Sequence, residues 1–114
     1  MKKLLEQRPW GNFVRYTHNE ISTVKIITVE PGQKLSLQYH DHRQEFWRIV
    51  QGNPTVTIGD QTMSGKEGDE FFVETKTPHR IAATKDRVVF LEIALGTFDE
   101  TDIVRIEDDY GRVS

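Results

Sequence analysis

His40 and His42 stand two residues apart, and Glu45 follows three residues later, within PGQKLSLQYHDHRQEFWRIVQG (residues 31–52). In a β-strand, residues i and i+2 point to the same face. On that geometry His40 and His42 reach one ion side by side, and Glu45 joins them if the chain bends at residues 41–44. His79 follows a second strand-and-turn pattern and can complete the set. Two or three imidazoles and a carboxylate on one wall suit a divalent metal. The alternative is a His-x-His pair in a surface hairpin that holds no metal. The chain has no cysteine, so thiolate ligands and disulfides are excluded. Zinc fits this ligand set first, and two His plus one carboxylate also suit manganese, cobalt, nickel or iron.

Strands must position these residues. Thr23–Glu30 is β-branched and ends at the turn Pro31-Gly32. Lys34–His42 alternates, with Leu35, Leu37 and Tyr39 on one face and Ser36, Gln38, His40 and His42 on the other. Four polar side chains in register suit neither a dry core nor bulk water, so this row predicts a polar interior pocket. The opposite row then needs cover from another sheet or another subunit. Further strands are expected at Glu45–Val50, Thr55–Ile58, Thr62–Ser64, Asp69–Glu74, Arg80–Ala83 and Arg87–Leu95. Asp99–Tyr110 fits one face of a helix, or a terminal strand over Asp102–Ile106. Many short strands with frequent turn signals and no strong amphipathic helix predict an all-β sandwich or barrel.

With 114 residues, the chain has room for one core. Its formal charge of −3 carries both signs interspersed, which argues against a nucleic-acid stripe. No apolar run is long enough to cross a bilayer. The N-terminal apolar segment is only Leu4–Leu5, too short for an export signal. A cytoplasmic location is therefore expected, with small molecules and second copies of the chain as partners.

Two blocks carry a family resemblance. Gly32…His40-x-His42-x2-Glu45-x6-Gly52 resembles the first cupin motif, and Gly68-x5-Glu74-x4-His79 resembles the second. The resemblance implies one domain over 1–114, an antiparallel jelly-roll barrel. It has N-terminal strands in 1–30, both motifs in 31–95 and a C-terminal extension in 96–114. A narrower resemblance lies in RPWG (8–11), PGQKLSLQYHDHRQEFW (31–47), TPHRI (77–81) and DIVRIEDDYGR (102–112). These look like the isomerase domain of type II mannose-6-phosphate isomerases, usually the C-terminal part of a bifunctional guanylyltransferase. No guanylyltransferase half precedes Arg8, so nucleotidyl transfer is not expected. The chain departs from the family pattern at Phe46, Glu74, Lys76, Ala83 and Ala94.

The resemblance implies interconversion of mannose 6-phosphate and fructose 6-phosphate, with His40, His42, Glu45 and His79 as metal ligands. Such a reaction moves a proton between C1 and C2, and a metal can polarise the carbonyl and hydroxyl. Glu45, Glu92 and Lys34 are candidates for the base. Arg43, inside the HRxE motif, is the first choice for a catalytic or phosphate-binding cation, because arginine recognises phosphate with a bidentate fork. Arg112 can fold over the pocket mouth, and Lys34 and Arg80 flank the metal segments. Ser36, Gln38 and Trp47 are candidate pocket walls, although packing is the default for Trp47. The acidic cluster Asp99, Glu100, Asp102, Glu107, Asp108 and Asp109 lacks a calcium loop and reads as a solvated face. Two other functions remain open: a non-catalytic sugar- or sugar-phosphate-binding cupin, and another metal-cupin enzyme. A homodimer is expected, through the Leu35–Leu37–Tyr39 face or an exchanged N-terminal strand.

Overall fold

The structure, a computed structural model, describes residues 1–112. Its strands are β1 (Leu4–Arg8), β2 (Gly11–Arg15), β3 (Ser22–Val29), β4 (Leu37–Tyr39), β5 (Gln44–Gln51), β6 (Thr55–Ile58), β7 (Gln61–Ser64), β8 (Glu70–Val73), β9 (His79–Ala82), β10 (Val88–Leu95) and β11 (Val104–Glu107). They form an all-β fold with every pairing antiparallel. One sheet has the order β3-β10-β5-β8, a second β11-β4-β9-β6-β7, and β1-β2 is a separate hairpin.

Strand parity explains the core. Across β10 and β5, Phe90 faces Ile49, Glu92 faces Trp47 and Ala94 faces Glu45. This row points between the two large sheets, where Trp47, Ile49 and Phe90 pack with Val56 and Ile81 from the second sheet. Residues one position along point the other way. Phe46 and Ile93 are paired on that outer face and are covered by Tyr16, whose ring lies 5.1 Å from that of Phe46. Gly52 opens the turn after β5 at φ +90°, and a Cβ there would lie 2.3 Å from the Arg87 carbonyl oxygen. Only glycine allows the two backbones to approach this closely.

One expectation needs correction, and one open alternative is settled. Lys34–His42 is not one strand: Lys34 makes an isolated bridge to Ala82, β4 covers only Leu37–Tyr39, and the chain bends at Asp41 and His42. The break separates Leu35 from Leu37 and Tyr39, since Leu35 packs against the main core. The single apolar face expected for those three residues is therefore not formed. Asp99–Tyr110 is not a helix: it contains β11, which pairs with β4 and overlaps the strand alternative. Within 1–30, the hairpin β1-β2 precedes the one strand whose range the pattern gave.

Candidate metal centre

His40, Glu45 and His79 come from three different places: the bend after β4, β5 and the start of β9. Gln38 pairs with His79 across β4 and β9, which draws the two histidine segments together. All three side chains are buried, and their ligating atoms lie within 4.8 Å of one another. Each histidine is oriented by its other nitrogen: the Asp102 carbonyl accepts from His40 Nδ1 at 2.6 Å, and the Thr77 carbonyl accepts from His79 Nδ1 at 2.8 Å. With the proton fixed on Nδ1, both Nε2 lone pairs face Glu45. Carbonyl partners of this kind also fix the tautomer of metal-bound histidines.

Electrostatics favour a cation here. Burial holds the His79 imidazole below its usual range, so it is neutral near pH 7. Its Nε2 has no hydrogen-bond partner and lies 3.6 Å from Glu45 Oε1, placing two acceptors face to face. Burial acts to raise the Glu45 pKa. The polar groups around it outweigh that effect and hold the carboxyl well below its ordinary range. An ionised carboxylate and an orphaned imidazole lone pair at this separation fit a bound metal. The His40, Glu45 and His79 set can therefore hold one.

Arg43 enters the same cluster. Its Nε donates to Glu45 Oε2 at 2.9 Å, and its Nη2 donates to His40 Nε2 at 3.2 Å. Trp47 Nε1 donates to Glu45 Oε1 at 3.2 Å, while the Trp47 ring packs on His79 and Phe90. Trp47 thus orients Glu45 from the core side.

A cavity of about 310 Å³ adjoins the cluster, lined in part by Gln38, Arg43, Glu92 and Phe98. Ser36 is buried behind Gln38 and donates to its Oε1 at 2.8 Å. Glu92 is pushed up to about 8, first by burial and then by the charge of Glu45 and a hydrogen bond to it. Near neutrality Glu92 holds its proton.

Other expected site residues lie elsewhere. His42 is exposed and outside the cluster, because the bend at residues 41–42 removes the same-face relation of a strand. Its backbone N–H donates to Asp102 Oδ2 at 3.1 Å. Lys34 pairs with Asp109 at 3.7 Å, and Arg112 pairs with Asp108 at 2.8 Å. Both line a different cavity, beside Tyr110. Arg80 donates to the Leu35 carbonyl at 2.8 Å and reaches toward Glu107. Phe46 sits on the outer face of the sheet, so the substitution beside Glu45 in sequence lies away from the metal cluster. Ala94 differs in this respect: it is buried and directly opposite Glu45.

Sequence reasoning missed Lys25, Phe98, Ile103 and Arg105 on the cavity wall. Arg105 lay within the quoted DIVRIEDDYGR stretch, but the lone arginine gave no signal of its direction. Asp102 belongs to the acidic cluster for which the sequence predicts a solvated face. It instead caps the bend, accepting from the backbone N–H of Asp41 at 2.8 Å while its carbonyl orients His40.

The chain is 38% identical over 109 residues to the alginate biosynthesis protein AlgA of Pseudomonas aeruginosa, covering 94% of this chain and 23% of that protein. It is 38% identical over 109 residues to the mannose-1-phosphate guanylyltransferase of Escherichia coli K12, covering 93% and 23% respectively. The chain thus spans under a quarter of the length of these relatives. Among solved structures, a double-stranded β-helix domain protein from Klebsiella pneumoniae superposes with a TM-score of 0.67 at 19% identity, covering 80% of this chain and 78% of that one. The fold is that of the cupins. The family described as mannose-6-phosphate isomerase C-terminal matches residues 3–108, and the chain belongs to it.

Proposed function

We propose that the chain is a metal-dependent phosphosugar isomerase that interconverts mannose 6-phosphate and fructose 6-phosphate. Family membership supports the reaction class. The observation that carries the reading is the placement of buried Glu92 on the cavity wall, on the same sheet face as Glu45. It joins a proton-exchanging carboxyl to a cluster that can hold a metal. A metal held by His40, Glu45 and His79 supplies Lewis-acid polarisation of a sugar carbonyl.

The remaining chemistry belongs to the chain. Glu45 is a poor base, since its carboxylate is held low and engaged by Arg43 and Trp47. Glu92 has the better-matched proton affinity, because a carboxyl that titrates near the working pH can both take and return a proton. In its ionised form Glu92 takes the proton from C2 of the aldose, leaving an enediolate. It then delivers that proton to C1 while the O2 hydroxyl proton passes to O1, giving the ketose. Arg43 faces the cavity and stabilises developing negative charge on the sugar oxygens.

A coupled assay on mannose 6-phosphate, with added divalent metals and a chelator control, tests this reading. Fructose 6-phosphate formed with metal and abolished by chelation supports it. The absence of turnover with every metal counts against it and favours a non-catalytic phosphosugar-binding cupin. The small Ala94 opposite Glu45 is the observation on the side of that second reading.

We also propose that two copies pair through the N-terminal hairpin. Leu5, Trp10 and Val14 are exposed on it, with Trp10 at 73% exposure. The edge strand β3 exposes Val24 and Ile26 and leaves one side unpaired. An open apolar edge of this kind favours strand addition by another chain. Sedimentation is expected to give a dimer at micromolar concentration and a monomer for Trp10→Lys combined with Ile26→Lys. A monomeric wild type would refute the pairing.

A further inference from the structure

The metal cluster, Arg43 and Glu92 leave part of the cavity wall unexplained. Two more cations line it, one from each large sheet: Lys25 on β3 and Arg105 on β11. Lys25 is the cross-strand neighbour of Glu92, and Arg105 is the neighbour of Gln38. The two sheets thus converge on one space and bring positive charge from both sides.

Neither cation is neutralised by the described residues. Among the described residues, no carboxylate forms an ion pair with Lys25 or Arg105. The Nε of Arg105 is buried and has no hydrogen-bond partner among the described residues. Leaving a buried guanidinium N–H unpaired is costly, and an anionic ligand removes that cost. Lys25 Nζ instead lies 4.2 Å from the centre of the Phe98 ring, and the Arg43 guanidinium lies 4.4 Å from the same centre. Phe98 therefore ties Lys25 to the cation that contacts Glu45. The acidic residues on this wall are Glu92 and the exposed Glu100, and neither forms an ion pair with Lys25 or Arg105.

We propose that Lys25 and Arg105 bind the phosphate of a phosphosugar in this cavity, leaving its carbonyl end toward Glu92 and the His40–Glu45–His79 cluster. The proposal rests on the isomerase reading for the choice of sugar, and on the unpaired cations for the phosphate. It assigns the anion to Arg105 and not to Arg112, whose guanidinium is engaged by Asp108.

The test is calorimetric binding of fructose 6-phosphate, fructose and inorganic phosphate to the metal-loaded protein, beside the turnover assay. The wild type is expected to bind fructose 6-phosphate, to bind fructose far more weakly, and to lose affinity as salt rises. Arg105→Gln and Lys25→Gln are each expected to weaken fructose 6-phosphate binding about tenfold or more, with metal stoichiometry unchanged. Arg105→Lys, which keeps the charge but not the fork, is expected to lose less. The two positions lie on different sheets, so failure of one variant to fold leaves the other informative. Equal binding of fructose and fructose 6-phosphate overturns the proposal. So does turnover with an unchanged KM in both variants, although the isomerase reading would then stand. Phosphate-dependent binding lost in the variants, without wild-type turnover, upholds the anchor and removes the isomerase reading.

Discussion

Arg43 Nε donates to Glu45 Oε2 at 2.9 Å, while its Nη2 reaches His40 Nε2 at 3.2 Å. One guanidinium thus engages two of the atoms that a metal would use. Arg43 and a divalent ion compete for the same lone pairs, and metal loading requires the arginine to withdraw into the adjoining cavity that it already lines. Removing this positive charge is expected to tighten metal binding, on the order of tenfold for Arg43→Gln. Titration followed by the fluorescence of Trp47, which touches Glu45, measures it. Weaker metal binding by Arg43→Gln would refute the competition.

The ligand set separates His79 from His42. His79→Ala removes a buried ligand and is expected to abolish stoichiometric metal uptake. His42→Ala alters an exposed side chain outside the cluster and is expected to retain it. Metal analysis after dialysis distinguishes the two. Loss of metal in His42→Ala would return that residue to the ligand set.

Glu70 fastens the N-terminal segment to the main sheet. It accepts from Arg48 at 2.7 Å and from Tyr16 at 2.8 Å, and it pairs with Lys3. Burial acts to raise its pKa, but hydrogen bonds from Lys3, Tyr16 and Arg48 outweigh it, so the folded value lies below 4.5. A depressed folded value means that the contribution is complete above the unfolded value and is lost as pH falls through the folded one. Glu70→Gln is therefore expected to cost about 1 kcal/mol at pH 7 and less in acid. Denaturant unfolding at pH 7 and pH 3 checks the sign, and an equal loss at both would contradict it.

The legible parts of the sequence were the apolar, β-branched runs bounded by turn residues. Thr23–Glu30 and Arg87–Leu95 reappear with small boundary changes because each is such a run, long enough to form an eight-residue strand. Three of the four expected ligands cluster for a related reason: Glu45 and His79 lie at or near strand starts, and His40 directly follows one. His42 failed because period-two reasoning assumed a strand through a bend that Asp102 caps from 60 residues away. Lys25 and Arg105 were invisible because an isolated cation on a short strand looks the same whether it faces water or a cavity. Only the distant pairing of β11 with β4 places Arg105 beside the site. The hairpin β1-β2 went without a stated range because much of both strands is exposed, leaving no alternation to read.

The central claim is that Glu92 moves the proton beside a metal-holding cluster. Mannose 6-phosphate incubated in deuterated water with the metal-loaded protein, followed by NMR, tests it most directly. The wild type is expected to form fructose 6-phosphate. Glu92→Gln is expected to slow it by about a hundredfold or more with metal stoichiometry unchanged. Full turnover by Glu92→Gln, or none by the metal-loaded wild type, would contradict the account.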